Sequence, residues 1–267
     1  MCSSDLLSVF ERGVRKRTPL RMALSAAELP SPDVVVLAVK SYDTEAALDS
    51  LMPLMEKGQA LVSLQNGLGN VERAVARFGE SRVIYGGTSQ GAYLDAQGAL
   101  HRMGDGVWRL SALTGATREV AQALLALMSR AGLMTEYVEE WQSAAWQKAA
   151  INAVINPLTA LLNAENERIL APDLLPFVYA LCQETAQVLR LEGLSQSASE
   201  LVAATTETAK RTAHNRSSMR ADFLAGRALE LDAINGEILR RAERAGLVLP
   251  YHSFLVEVLR EHAAARR

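Results

Sequence analysis

The sequence predicts two fold classes in succession, α/β and then all-α: a doubly wound sheet followed by a helical C-terminal domain. Two observations carry this. Short unbroken apolar runs alternate with helical stretches as far as residue 138, and from residue 139 onward the strand signal disappears while helical periodicity continues. The 267 residues leave room for two domains of ordinary size, with bounds at 1–138 and 139–267.

Composition removes several function classes. Lys and Arg number 28 against 30 Asp and Glu, a net charge of −2, so the basic excess that a nucleic-acid or anionic-membrane binder uses is absent. Apolar residues make up 49% and charged residues 22%, the balance of a soluble globular protein. Two cysteines, Cys2 and Cys182, cannot build a disulfide framework, and no Cys/His spacing resembles a zinc site. The expectation is a reducing cytoplasm and no metal. No apolar run approaches the roughly 18 residues of a membrane span.

In the first half, Val34 to Val39 reads as a strand buried on both faces, ended by Lys40. A helix follows from Thr44 to Lys57, bent or shortened by Pro53. Ala60 to Leu64 is a second buried strand, and after the turn Gln65-Asn66-Gly67-Leu68-Gly69 a helix runs from an Asn70 N-cap to Phe78. Val83 to Tyr85 and Val107 to Leu110 are further strands, Thr117 to Ala131 an amphipathic helix and Leu133 to Val138 a last strand. The basic stretch from Arg12 to Arg21 reads as a solvated strand or loop surface. In the second half helices are expected over 140–156, 172–192, 197–213, 220–244 and 251–265.

The segment Trp146 to Pro157 is the most informative. At about 100° per residue, Lys148, Asn152 and Asn156 fall within an arc of roughly 80° on one face. Trp146, Ala150 and Ala153 form the opposite face, so the helix is apolar nearly all round and is expected to be buried. Either the polar stripe faces solvent, or a buried lysine flanked by amides meets an anionic or carbonyl partner. Asn66-Gly67 reads as a hairpin turn or as a ligand-facing turn beyond the carboxyl end of a parallel strand, a position that Lys40 and Gly86 to Ala92 share. Glu230, placed on a helix between Leu229 and Leu231, has the pattern of a solvated glutamate. The preceding Asn215 to Met219 is a connection or a source of donors for an anion.

Together these segments resemble the ketopantoate reductase (2-dehydropantoate 2-reductase) family over about Pro30 to Glu261, most specifically in Trp146 to Ala160 and in Ser217-Ser218-Met219 followed by Glu230 and Ile234-Asn235-Gly236. The resemblance implies a Rossmann-type first domain, NADPH as cofactor and reduction of the keto acid 2-dehydropantoate to (R)-pantoate on the way to coenzyme A. It implies Lys148 as general acid, with Glu230 between the substrate hydroxyl and the nicotinamide ribose. Asn152, Asn156, Asn166 and Ser218 would bind substrate, and Lys40, Asn66 and Ala92 would line the cofactor groove beside Glu230. A homodimer is the expected assembly. Two other readings stay open: a related two-domain 2-keto or 3-hydroxy acid dehydrogenase, and a truncated, non-catalytic paralogue.

The family's opening strand and Gly-x-Gly-x-x-Gly turn are missing from this sequence, since Gly67-Leu68-Gly69 runs into Asn70-Val71-Glu72 and follows the wrong strand. The expectation is therefore a partial dinucleotide domain that lacks its first strand, glycine-rich loop and first helix, which leaves the strand at Val34 with an apolar edge.

Overall fold

The computed structural model describes residues 6–11, 14–20, 23–28, 30–56, 58–95, 97–103 and 105–265. Expectations for Cys2 and the opening five residues, for Arg12 and Arg21 and for the helix end at Lys57 lie outside them. The chain forms two compact units, one of residues 1–39, 43–65 and 71–141, the other of 40–42, 66–70 and 142–267.

The first unit is built from β1 (Leu6–Glu11), β2 (Val14–Pro19), β3 (Val34–Leu37), α1 (Thr44–Leu51), β4 (Ala60–Ser63), α2 (Asn70–Phe78), β5 (Val83–Thr88), β6 (Gly91–Leu94), β7 (Leu100–Met103), β8 (Val107–Ala112), α3 (Arg118–Arg130) and β9 (Met134–Tyr137). Pro53 ends α1 early, in a 3-10 turn over Met52–Leu54. A five-stranded sheet runs in the order β3-β4-β5-β8-β9. Ala60, Val62, Ile84 and Leu110 on its strands pack with Ala121 and Leu125 of α3 into one apolar cluster. β3 stands at the sheet edge with Val36 half exposed.

The sheet is mixed. β3, β4 and β5 are parallel to one another, as are β8 and β9, but β5 and β8 are antiparallel. The reason lies in the connection. A parallel pair needs a long crossover, and between β5 and β8 the chain makes only the β6–β7 hairpin.

That hairpin belongs to a second, four-stranded sheet in the order β2-β1-β7-β6, whose β6 and β7 the sequence reading missed. Aligned rings mark it. Phe10, His101 and Tyr93 sit opposite one another on β1, β7 and β6, and His101 stacks on both neighbours with centroids 4.7 Å apart. β2 is exposed along its whole length, the solvated strand expected of the basic stretch.

The second unit is helical: α4 (Trp141–Leu161), α5 (Leu175–Leu191), α6 (Ala198–Arg211), α7 (Ser218–Leu224), α8 (Asn235–Arg244) and α9 (Pro250–Ala264). Its core draws Trp146, Val154, Leu181, Leu189, Ile234 and Leu259 into one cluster. Two expectations are corrected. The predicted helix over 220–244 is two helices, because α7 closes at Gly226, whose φ of +65° is readily adopted by glycine alone, and residues 225–234 run without helix. The helix expected to stop at residue 156 continues through Pro157 to Leu161. Among the described residues no helix is long and apolar enough to cross a membrane.

A buried polar network ties four of these helices together. The amide nitrogen of Asn235 donates to the Ala153 carbonyl at 2.7 Å and faces His252 Nδ1 at 3.1 Å. A carbonyl can only accept, so Nδ1 must accept too and the imidazole proton sits on Nε2, 2.9 Å from the Thr185 hydroxyl. That hydroxyl donates to the Leu181 carbonyl, which leaves its oxygen free to receive the proton.

Burial pushes the wholly enclosed His252 down to about 4, against a weaker upward pull from the Leu181 carbonyl. An unfolded histidine titrates near about 6.5. The unfolded chain therefore binds the extra proton between about 6.5 and about 4, and stability is lost as the pH falls through that window. At its limit the loss is about 3 kcal/mol. Glu184, which accepts the backbone N–H groups of Tyr251 and His252 at 2.8 and 2.9 Å, is pushed up by burial and acts in the opposite sense above the ordinary glutamate range. Urea unfolding across this range is expected to show a steeper acid loss for the wild type than for His252→Gln. Equal slopes would contradict the neutral assignment.

Candidate active site

The site begins with two buried acids. Asp222 lies on the apolar face of α7 with Met219 and Phe223, and Glu230 lies on the irregular segment after it, not on the helix that the sequence suggested. Their side chains are only 6% and 5% exposed, so each carboxylate needs donors. Lys40 Nζ meets both, at 2.7 Å from Asp222 Oδ2 and 3.2 Å from Glu230 Oε2. Glu230 Oε1 accepts the Ser41 backbone N–H at 3.1 Å, and Asp222 Oδ1 accepts Arg227 Nε at 2.8 Å. All of these residues belong to the second unit.

Lys40 responds as its surroundings require. Partial burial alone would pull its ammonium down, but the hydrogen bond to Asp222 and the charges of Glu230 and Asp222 outweigh that and hold it above the ordinary lysine range. Sequence reasoning found Lys40 and Glu230 but missed Asp222, Arg227 and Ser41. A signal for Asp222 existed, since an acid at the i+3 position of an apolar helix face has to be buried with a cation.

The turn after β4 enters the same unit through its backbone. Gly67 has φ +84°, and a Cβ there would lie 2.6 Å from the Ala233 carbonyl oxygen, which accepts the Leu68 N–H at 2.7 Å. Glycine is required both for the torsion and for the close approach. The Asn70 side chain donates to the Asn66 carbonyl at 2.8 Å and so braces the turn.

Lys148, Asn152 and Asn156 share one face of α4, but burial is graded along it: Lys148 and Asn152 are partly exposed and Asn156 is buried. This corrects the expectation of a buried lysine. Among the described residues the side-chain amides of Asn66, Asn152 and Asn156 have no hydrogen-bond partner. Asn156 is 6% exposed, and its amide keeps a small accessible surface.

Asn166 is buried in a 3-10 turn, where its Nδ2 donates to the Thr212 hydroxyl at 2.9 Å while its Oδ1 has no partner. The hydroxyl that the structure uses at the next segment is Ser217, buried, capping α7 and hydrogen-bonded to the Thr159 hydroxyl at 2.7 Å. Ser218 beside it is exposed. Ala92 lies on β6 in the first unit, apart in sequence and unit from the rest of this set. Glu165, Glu167 and His214 bring ligand atoms within 4.8 Å of one another, two of the three residues being exposed, as acidic surface groups commonly are without an ion.

The chain thus joins an α/β unit of Rossmann-like type to a helical unit that carries a lysine–carboxylate cluster, and its relatives are oxidoreductases. Residues 4–115 match the family described as "Ketopantoate reductase PanE/ApbA", and residues 140–263 match "Ketopantoate reductase PanE/ApbA C terminal". The chain belongs to the ketopantoate reductase family. It is 30% identical over 249 residues to the 2-dehydropantoate 2-reductase of Halobacterium salinarum, across 93% of this chain and 82% of that protein. Two solved structures show the fold alone. One is D-mandelate dehydrogenase with NADH and anilino(oxo)acetate, with a TM-score of 0.89 at 23% identity over 97% of this chain and 85% of that one. The other is the dimeric ketopantoate reductase of Staphylococcus aureus, with a TM-score of 0.83 at 20% identity over 98% and 88%.

Two outcomes are expected. Lys40→Met leaves Asp222 and Glu230 facing each other with one cation fewer. Because Lys40 keeps 35% of its side chain in solvent, the loss at pH 7 is roughly 1–3 kcal/mol, below that of a fully buried pair. A lysine whose folded value is raised contributes its stability at neutral pH and loses it as the pH rises through that value. The wild-type advantage in urea unfolding should therefore be constant around neutrality and shrink above the ordinary lysine range. Gly67→Ala should cost roughly 1–3 kcal/mol in the same assay, through strained φ and the Ala233 clash. A neutral result would show that the turn shifts freely.

Proposed function

We propose that this protein reduces 2-dehydropantoate to (R)-pantoate with NADPH, the step that feeds pantothenate and coenzyme A synthesis, and that Lys148 is the general acid. The observation that carries the reading is the polar face of α4. There a partly exposed lysine stands two helical turns from a buried asparagine whose amide lacks a partner, in the unit that also holds Glu230 and Lys40. An unpartnered amide that keeps a small accessible surface can meet a polar substrate.

The residues present fit the nicotinamide and ribose end of a dinucleotide. Lys40 and the partnerless amide of Asn66 stand just beyond the carboxyl ends of β3 and β4, where ligands of open α/β sheets bind. With Glu230 and Ala92 they would hold the cofactor. The part of the bound cofactor is delivery of a hydride to the keto carbon. Everything else falls to the chain. The Lys148 ammonium stabilises the negative charge that develops on the carbonyl oxygen and then protonates it. Asn152, Asn156 and Asn166 orient the substrate, and Ser218 donates to its carboxylate. Glu230, with one oxygen on the Ser41 N–H and the other on Lys40, is fixed in direction as the acceptor for the substrate hydroxyl and the ribose. The protein would act as a cytoplasmic homodimer, the assembly named for the Staphylococcus aureus relative.

The test is steady-state reduction of a panel of 2-keto acids, including 2-dehydropantoate and benzoylformate, with NADPH and with NADH. Preference for 2-dehydropantoate with NADPH is expected. Preference for the aromatic keto acid would move the reading to a mandelate-type dehydrogenase. Lys148→Ala should lower kcat by about 10² to 10⁴. Unchanged turnover would overturn the acid assignment. Ser218→Ala should chiefly raise KM, because a carboxylate contact is made in ground and transition state alike.

A further inference from the structure

Pro157 lies inside α4, four residues after Ala153. In a regular helix the Ala153 carbonyl would receive the N–H of residue 157, and proline has none. The carbonyl is nevertheless satisfied, by the side-chain amide of Asn235 at 2.7 Å, from a residue with no exposed surface at the first position of α8. We propose that Asn235 is a positioning residue that stands in for the missing proline N–H, and by doing so fixes the register of the α4 polar face against the segment that carries Glu230.

The geometry supports both halves. Ala153 is the neighbour of Asn152 and lies between Lys148 and Asn156 on α4, while Asn235 follows Glu230 by five residues and Ala233, the acceptor of Leu68, by two. A second hydrogen of the same amide is committed to His252 Nδ1 at 3.1 Å, so the side chain cannot rotate without leaving two buried acceptors unmet. The proline therefore has a use. By removing a backbone donor it opens one acceptor in the middle of a buried helix, and one residue from the Glu230 segment closes it. Asn156-Pro157 and Ile234-Asn235-Gly236 are thereby linked through one hydrogen bond. The positioning half rests on the reading of Lys148 as the acid, whereas the hydrogen-bond half does not.

A double-mutant cycle tests both. Asn235→Ala should lower the melting temperature by roughly 5 °C through two unmet acceptors. Pro157→Ala restores an N–H at residue 157, so in that background the drop on Asn235→Ala should be clearly smaller, with the His252 contribution remaining. Equal drops in the two backgrounds would overturn the substitution of one donor for the other. Should Asn235→Ala not fold, recovery of folded protein in the double variant is the same rescue, and its failure the same refutation.

Turnover tests the positioning. Measured well below melting, Asn235→Ala should lower kcat about tenfold with a smaller change in KM, and the double variant should regain part of it. Full kcat in a destabilised Asn235→Ala protein would leave a merely structural residue and overturn the positioning role. If Lys148→Ala retains turnover while the melting cycle is coupled, the acid assignment has failed and the hydrogen-bond half stands.

Discussion

Two carboxylates that cannot remain alone in the interior set the terms for the helical unit. Removing a charged group from water costs several kcal/mol unless donors replace the lost hydration, and Asp222 and Glu230 are both buried. Three residues meet that demand: Lys40, Ser41 and Arg227. Two of them come from a segment that precedes Asp222 by 182 residues. Residues 40–42 thus join the helical unit for electrostatic reasons, while Leu68, from the second strand-end turn, joins it by apolar burial in the core that contains Trp146 and Ile234.

The same trade between local cost and distant partner recurs along α4. An interior proline costs about 3 kcal/mol when its acceptor stays open, yet this helix runs four residues beyond Pro157. Thr159 adds a second irregularity, with its hydroxyl on the Ile155 carbonyl at 2.7 Å and on Ser217 at the start of α7. Helix α4 is held by side chains from the segments before α7 and after residue 230, so its placement is a property of the whole unit and not of its own propensity.

What the sequence made legible follows from the range of each interaction. Buried strands such as Val34–Leu37 and Ala60–Ser63 and the amphipathic α3 announce themselves through local apolar pattern. Lys148, Asn152 and Asn156 could be placed on one face from spacing alone, Lys40 and Asn66 from their place beyond strand ends, and the likeness to a known family supplied the role of Glu230. The short strands β6 and β7 carry little apolar signal, and their ring stack depends on register across three strands. Local pattern is silent about that. The pairing of Lys40 with Asp222 and the replacement of a proline N–H by Asn235 are long-range choices that no window of neighbouring residues contains.

The break between α7 and α8 shows why the failed helix expectation falls where the buried charges gather. The residues from 220 to 244 have helical periodicity, and an unbroken helix would satisfy it. In such a helix Asp222 and Glu230, eight residues apart, would stand about 12 Å apart along the axis with side chains leaning the same way. One ammonium could not reach both. In the structure Lys40 Nζ lies 2.7 Å from one and 3.2 Å from the other, which requires the intervening backbone to fold back. Gly226 allows the reversal, and the Arg227 N–H turns to the Asp222 carbonyl while Arg227 Nε meets that residue's carboxylate. Helical propensity across this stretch is worth a few tenths of a kcal/mol per residue, less than the cost of leaving one buried carboxylate without its cation. The charge cluster prevails, and the irregular segment is its consequence.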